Sequence, residues 1–201
     1  MKKLLLLLLC VPLFGFGQDF QKVNHPYNID LKAPDGWYSL DTREYDRIEN
    51  AKQFFDKEEM DKMIAMSQGK QSLLTFMKYN YDSLIGVSPT ISVLLNINKT
   101  DNYESFHDYI YESIKSIQDA IPNLEIINPL QEIYVSGIRS FDFIITYDLP
   151  FGDSVYKTRV RILSVPIKDY LYQINFIDFL EHDDCSLIYN NVIESIIIGS
   201  E

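Results

Sequence analysis

The sequence predicts an α+β fold in which an antiparallel β-sheet is flanked by helices. Four segments of the 201-residue chain alternate apolar and polar residues with a period of two, which is typical of strands with one polar face. Short connections join the later strands, as in antiparallel hairpins. Amphipathic helical segments occur among the strands without strict alternation, and this order favours α+β over a doubly wound α/β fold.

The first predicted unit is "YNIDLKAPDGWYSL", residues 27–40. Apolar side chains alternate over Ile29–Ala33, which predicts a strand. Pro34 and Gly36 then favour a turn, and a second short strand follows. We expect Trp37, the only tryptophan of the chain, to anchor this corner in the core.

Three segments carry apolar residues at helical spacing and are predicted as helices: 56–68, 101–121 and 185–195. The first two open with an Asp-x-x-Glu pair, whose side chains can satisfy free N–H groups at the start of a helix. Pro122 ends the second helix because proline lacks a backbone N–H. Asp183 and Asp184 precede the third helix as caps, and a short closing strand follows it in "IIIG".

The alternating strands have one apolar side, and we expect the opposite side, which includes Asp142 and Arg159, to be a polar face. Short turns at 136–137 and 150–153 separate neighbouring strands, and Pro166 is expected to end the ladder before the last long strand. The alternating segments are 90–98, 141–149, 156–162 and 170–176, and 73–80 and 123–135 are further candidates with a mixed pattern.

The N-terminus, "MKKLLLLLLCVPLFGFGQ", has the pattern of a secretory signal peptide. A lysine pair precedes an apolar run over residues 4–16, and this run is too short to span a membrane. Small residues at its end predict cleavage after Gly17. We therefore expect an exported protein, periplasmic or secreted, in which residues 18–26 are a flexible start. Residues 27–201 would form a single domain without a transmembrane span.

The two cysteines offer little chemistry. A lipid anchor at Cys10 is disfavoured, because Leu9 precedes it where a lipoprotein signal requires a small residue. After signal removal Cys185 is the only cysteine, which excludes an intramolecular disulfide. Neighbouring acidic residues oppose a Cys185 thiolate, although the residue lies near a predicted helix start.

The composition is that of a globular protein, with 46% hydrophobic residues and a formal charge of −11. Such a negative surface disfavours nucleic acids and anionic membranes as partners. The sequence contains no G-x-S-x-G, H-E-x-x-H, G-x-x-x-x-G-K-[ST] or G-x-G-x-x-G motif. We therefore predict no cofactor and no catalytic residue, and we expect a protein that is not an enzyme.

One loop, "DFLEHDDCS", offers ligand chemistry. Asp178, Glu181, His182 and Asp184 supply oxygens and an imidazole of the kind that divalent cations accept. The alternative function is therefore a secreted, metal-assisted enzyme that uses this loop. However, the spacing matches no ion-binding loop of known geometry, and carboxylates at a helix start are favourable without any ion. We favour a polar loop that caps the third helix.

Tyrosine is the remaining functional signal, with 14 tyrosines beside 12 phenylalanines. Tyrosine suits half-buried surfaces, because its ring is apolar and its hydroxyl is polar. Tyr109 and Tyr111 on the second helix, and Tyr170 and Tyr172 on the last long strand, are candidates for lining a binding groove. Packing in the core and on the sheet explains most of the other aromatic residues.

Several stretches occur in an order that is shared with a known superfamily. They are "IDLKAPDGWYSL", "PTISVLLNIN" followed by "NYESFHDYIYESI", "GIRSFDFIITYD", and "DYLYQINFIDF" followed by "LIYNNVIESIII". In order, they resemble the opening strand and corner, the strand–helix unit, the central hairpin and the closing helix–strand unit of the PsbP/Mog1-like superfamily.

The resemblance implies an antiparallel sheet sandwiched between helices and used as a scaffold for binding or assembly. It implies no site residues, because the superfamily has no shared catalytic motif. Its members include photosystem accessory proteins, a nuclear-transport cofactor and exported bacterial proteins of unassigned role. We therefore expect an exported, non-catalytic binding or accessory protein of the bacterial cell envelope. It would bind a protein or a small molecule through a groove or a sheet edge.

Overall fold

The structure is a computed structural model, and it describes residues 21–25, 29–40, 70–80, 87–168 and 170–199. The predicted signal peptide and the helix predicted at 56–68 lie outside these residues. Among the described residues, no helix is long and apolar enough to cross a membrane. The strands are β1 Gln21–His25, β2 Ile29–Ala33, β3 Tyr38–Leu40, β4 Lys70–Met77, β5 Thr90–Ile97, β6 Glu125–Val135, β7 Ile138–Phe151, β8 Ser154–Ile167, β9 Tyr170–Phe179 and β10 Ile197–Ile198, and the helices are α1 Tyr103–Ala120 and α2 Ser186–Glu194.

The larger of the two described sheets has seven strands in the order β3-β4-β5-β9-β8-β7-β6. Each neighbouring pair is antiparallel. The predicted turn at 136–137 is confirmed as a hairpin. The turn predicted at 150–153 is shorter, at 152–153, because Pro150 and Phe151 still pair across the ladder. Gly137 and Gly152 have positive φ angles of 78° and 59°. Glycine is the residue that adopts this conformation without a steric penalty, and it therefore fits these turns.

The opening strand–corner–strand unit is confirmed, but its two strands belong to different sheets. β2 pairs with β1 and β10 in a three-stranded sheet, whereas β3 pairs with β4 in the large sheet. Trp37 donates its backbone N–H to the Pro34 carbonyl at 3.3 Å, and its ring meets the Tyr189 ring edge-on at 6.2 Å. Trp37 is half-buried against the core, so it anchors the corner as predicted. Residues 21–25 form β1, where the sequence predicted a flexible start.

Both faces of the large sheet are covered by other elements. Strand residues point alternately to the two faces, and the core is accordingly divided into two clusters. On one face α1 packs Phe106, Ile110 and Ile114 against β7 and β8. On the other face α2 and the three-stranded sheet pack against β4, β5, β8 and β9. This arrangement confirms the predicted α+β fold with helices on the sheet faces.

The predicted polar face of β7 and β8 is present, but part of it is buried beneath α2. Asp142, Thr146 and Asp178 lie on the face that α2 covers, and all three are buried. Arg161 donates Nε–H to Asp142 at 2.9 Å, and Arg159 donates Nε–H to Asp178 at 3.0 Å. Polar and apolar residues alternate along these strands as predicted. The charges of the buried aspartates are compensated by ion pairs with arginine rather than by hydration.

Two predicted boundaries also need correction. The α1 cap is Asn102 with Ser105, whose side chains and backbone N–H groups bond reciprocally, rather than Asp101 with Glu104. Pro166 does not end its ladder, because β8 continues to Ile167 with Pro166 paired to Leu171. Proline removes only its own N–H, and the rest of the ladder persists.

Candidate functional site

Exposed aromatic and charged side chains converge where the β6–β7 hairpin meets the first turns of α1. The turn at Ser136 and Gly137 places Tyr134 directly opposite Arg139 across the two strands. The Asn102 cap starts α1 at Tyr103, above the same face of the sheet. We call the set Tyr103, His107, Tyr111, Glu132, Tyr134 and Arg139 the tyrosine platform.

The centre of the tyrosine platform is a stacked and hydrogen-bonded cluster. The Arg139 guanidinium carbon lies 3.5 Å from the centroid of the Tyr103 ring. Arg139 Nη2 donates to Glu132 Oε2 at 2.6 Å, and the Tyr103 hydroxyl donates to the same oxygen at 3.0 Å. These contacts hold the Tyr103 ring and the Arg139 side chain in one arrangement within the protein itself.

Phe141, which is buried, supports the platform from below. Tyr103 stacks on the Phe141 ring at 5.1 Å, and His107 meets the same ring edge-on at 5.4 Å. His107 is parallel to Tyr111 within 7°, with ring centroids 6.3 Å apart. Lys115 Nζ lies 4.6 Å from the Tyr111 ring centroid. The rings therefore continue from the sheet onto the surface of α1.

Large parts of these side chains are accessible. Tyr134 is 68% exposed and Tyr111 is 48% exposed. Burial, together with donation of its hydroxyl to Glu132, raises the pKa of Tyr103 to about 12. The hydrogen bond from Arg139 lowers the pKa of Glu132 below its ordinary value. Near neutral pH the cluster is thus a protonated tyrosine that contacts a carboxylate and a guanidinium.

The predicted groove tyrosines do not come together. Tyr109 is exposed on α1, about 160° around the helix from Tyr111 because consecutive helical residues are about 100° apart. Tyr170 and Tyr172 point to the opposite face of the sheet from α1, since the intervening Leu171 packs in the α1 cluster. Tyr172 is a core residue at 5% exposure, and Tyr170 is exposed at the strand end.

The aspartate carboxylates of the acidic loop, residues 178–184, form hydrogen bonds and ion pairs with other residues of the protein. Asp178 accepts from Arg159 and from the Cys185 backbone N–H at 2.7 Å. Asp183 accepts from Lys78 Nζ and from the Tyr79 hydroxyl. These bonds use the oxygens that a metal ion would need, and they attach the loop to β8 and to the end of β4.

The remaining loop residues do not complete a metal site. Asp184 accepts from Arg159 at 2.6 Å and from the Ser186 backbone N–H at 2.9 Å. The N-cap of α2 is Cys185 rather than the predicted aspartates, although Asp184 still bonds the first residue of the helix. Glu181 and His182 are exposed, and the His182 ring lies against Tyr156 at 5.4 Å. The described residues contain no group of three or more His, Cys, Asp or Glu that could hold a metal ion.

Cys185 is a core residue. It is 1% exposed, and burial raises the pKa of its thiol to about 12. The thiol also lies 3.7 Å from the Asp183 carboxylate, which opposes the thiolate further. A thiol with these properties is protonated near neutral pH and is a poor nucleophile.

The outer edge of the large sheet is irregular. β6 is an edge strand, and its pairing with β7 shifts register between Ile126 and Asn128 and again before Gln131. Pro129 lies within the second shift and cannot donate a backbone hydrogen bond. Bulges and proline protect an edge from pairing with another strand. The backbone of β6 is therefore protected against pairing with an added strand.

Of the platform residues, only Tyr111 is among the tyrosines that the sequence predicts for a groove. Tyr103, Glu132 and Arg139 come from three different elements, and no local pattern connects them. The one available signal was that Tyr134 and Arg139 are equally spaced from the predicted turn at 136–137, which makes them cross-strand partners in a hairpin.

The chain is similar to several solved structures, among them two with a TM-score of at least 0.5. Cyanobacterial PsbP (CyanoP) from Synechocystis sp. PCC 6803 has a TM-score of 0.51 and 16% identity, with 92% of this chain and 96% of that one covered. LpqN, described as involved in cell envelope biogenesis of Mycobacterium tuberculosis, has a TM-score of 0.50 and 13% identity, with 91% and 87% covered. The Ran-binding protein Mog1p of Saccharomyces cerevisiae is more distant, with a TM-score of 0.41, 12% identity and coverage of 88% and 85%.

No protein-family model matches the chain, and no curated protein matches it. The protein has an α+β fold of the PsbP/Mog1-like type, and the comparison with PsbP confirms this predicted resemblance at the level of the fold.

Proposed function

We propose that this chain is an exported, non-catalytic binding or accessory protein of the bacterial cell envelope. Its ligand is a protein partner or, as the second candidate class, a small molecule. The tyrosine platform is the surface that contacts this ligand. The N-terminal pattern of basic and apolar residues supports export. The likeness in fold to LpqN, which is described as acting in cell envelope biogenesis, supports the compartment.

The observation that carries this proposal is a surface that is both accessible and pre-arranged. Tyrosine and arginine are enriched among the residues that dominate binding energies at protein interfaces. Arg139 and Tyr103 are already held by Glu132 and Phe141, so little side-chain entropy remains to be lost on binding. Tyr134 adds a large exposed ring beside them.

A non-catalytic role is supported by the state of the groups that would otherwise do chemistry. The oxygens of Asp178, Asp183 and Asp184 are bonded within the protein, and the Cys185 thiol is buried. These residues stabilise the junction between the sheet and α2.

The test is partner capture from the envelope of the native host after gentle crosslinking. We expect the tagged wild-type protein to recover a distinct partner, and we expect Tyr134→Ala to lose most of it. Tyr38→Ala is the matched control, because Tyr38 is 48% exposed on β3 at the opposite edge of the sheet. Recovery of the wild-type protein alone, or equal loss in both variants, would contradict the proposal.

Export is tested separately by cell fractionation and by the mass of the mature protein. We expect the protein outside the cytoplasm with Gln18 as its first residue. A Cys10→Ala variant that moves from the membrane fraction to the soluble fraction would show a lipid anchor instead.

A further inference from the structure

An acidic row lies along α1 beside the aromatic part of the tyrosine platform. Glu104, Asp108 and Glu112 follow one another at intervals of four residues, which places them on neighbouring positions of one helix flank. Tyr111 is three residues from Asp108 and therefore lies on the same flank. Asp108 and Glu112 are exposed, at 82% and 67% of their side-chain areas. We call these three acidic residues the acidic flank.

The acidic flank is only partly neutralised within α1. Carboxylates four residues apart on a helix repel each other, and the flank contains two such pairs. Glu104 lies in the first turn, where the helix dipole favours it, but Asp108 lies beyond that turn. Lys115, the only lysine or arginine of α1, bonds to Glu112 at 2.7 Å. Asp108 contacts the His107 ring nitrogen Nδ1 at 3.3 Å and has no lysine or arginine partner within α1, so an 82% exposed carboxylate remains at the surface.

The rings of the platform already bind cations of this chain. Arg139 lies over Tyr103 at 3.5 Å, and Lys115 lies over Tyr111 at 4.6 Å. Both contacts combine a ring with a nearby carboxylate, Glu132 in the first case and Glu112 in the second. The same combination of an exposed ring and a carboxylate is repeated at Tyr134, whose ring is 68% exposed beside Glu132.

We propose that the tyrosine platform and the acidic flank together bind a cationic segment of a partner polypeptide. Arginine or lysine side chains of this segment lie on the exposed Tyr134 ring, and their charges pair with Asp108 and Glu104. This inference rests on the proposed binding function and names the chemistry of its partner. Anionic partners are disfavoured by the same charges and by the formal charge of −11 of the chain.

The test uses a hepta-arginine peptide as the probe and a hepta-glutamine peptide as its uncharged counterpart, with calorimetric titration of the full chain. We expect only hepta-arginine to bind. Asp108→Lys should weaken it about fivefold, because an exposed attraction becomes a repulsion. Tyr134→Ala should weaken it about threefold through the lost ring contact. Asp153→Lys, the same charge change at the β7–β8 turn and the far end of β7, should change it less than about twofold.

The outcomes separate this inference from the binding function itself. No binding of hepta-arginine, equal binding of hepta-glutamine, or equal weakening by Asp153→Lys and Asp108→Lys would overturn the cationic partner. If the envelope partner were still captured in a Tyr134-dependent manner, the binding function would stand while the cationic segment would not. Circular dichroism of each variant confirms an intact fold before binding is compared.

Discussion

Replacement of Asp178 by asparagine should strongly destabilise the protein. The Asp178 side chain is 0% exposed, and it accepts hydrogen bonds from Arg159 Nε at 3.0 Å and from the Cys185 N–H at 2.7 Å. Asparagine has nearly the same shape but no charge. It therefore leaves the guanidinium of Arg159, which is 15% exposed, with Asp184 as its remaining acidic partner, 53% exposed.

The expected loss follows from the burial of this pair. Removing one partner of a buried ion pair costs roughly 3–5 kcal/mol, because the other charge stays desolvated. Asp184 and the amide oxygen of asparagine compensate in part, so we expect a loss of about 3 kcal/mol in the free energy of unfolding. For a domain of this size, that corresponds to a decrease in Tm of about 10 °C.

Thermal and urea unfolding of Asp178→Asn measure this loss directly. The matched control is Glu132→Gln, which makes the same chemical change in an exposed pair with Arg139, where the side chains are 36% and 48% exposed. An exposed pair contributes less than about 1 kcal/mol, so the control should unfold close to the wild type. If Asp178→Asn lowered the free energy of unfolding by less than about 1 kcal/mol, the structural role of Asp178 would be refuted. The alternative role of Asp178 as a metal ligand would then have to be tested.

Three further predictions concern the acidic loop and Cys185. Hydrogen bonds from Ser186 and Arg159 lower the pKa of Asp184 to about 2, and the pKa of Asp183 is also lowered. The contribution of these two carboxylates to stability should therefore be complete above about pH 5. It should be lost as the pH falls from about 4 towards 2. Asp184→Asn should flatten this decline in an acid unfolding titration, and an unchanged decline would argue against these pKa shifts. Cys185 should resist iodoacetamide in the native protein at pH 8 and react fully in urea, whereas rapid native labelling would show that the thiol is accessible. Calorimetric titration with calcium, zinc or manganese should show no stoichiometric binding, because the carboxylate oxygens are already bonded. Stoichiometric binding that His182→Ala and Asp184→Ala abolish would instead support the metal-assisted enzyme.

Local patterns predicted the elements of the fold well where the pattern is set by one chain segment. Alternation over β5 and β7 to β9 identified strands, because successive residues of a strand point to opposite faces of the sheet. Glycine at 137 and 152 marked the hairpin turns, since positive φ angles favour it. The corner with Trp37 was also predictable from local sequence. Its turn depends on a proline and a glycine, and its anchor is a large ring only a few residues away.

Features that depend on distant segments could not be read in this way. The partners of β2 include β10, at the other end of the chain, so its sheet could not be assigned from its own residues. Asp142 and Asp178 are buried because α2 covers their face, which alternation alone does not reveal. The burial of Tyr172 likewise depends on the elements that cover its face. The platform has no local sequence pattern, because its residues come from separate elements.

The most direct test of the account is site-specific photo-crosslinking in the native host. A photo-reactive phenylalanine derivative at position 134 should give a distinct adduct with one envelope partner, because Tyr134 is the most exposed ring of the platform. The same derivative at position 38, on the opposite edge of the sheet, should not give this adduct. Absence of an adduct from position 134, or the same adduct from both positions, would contradict a binding function through the tyrosine platform.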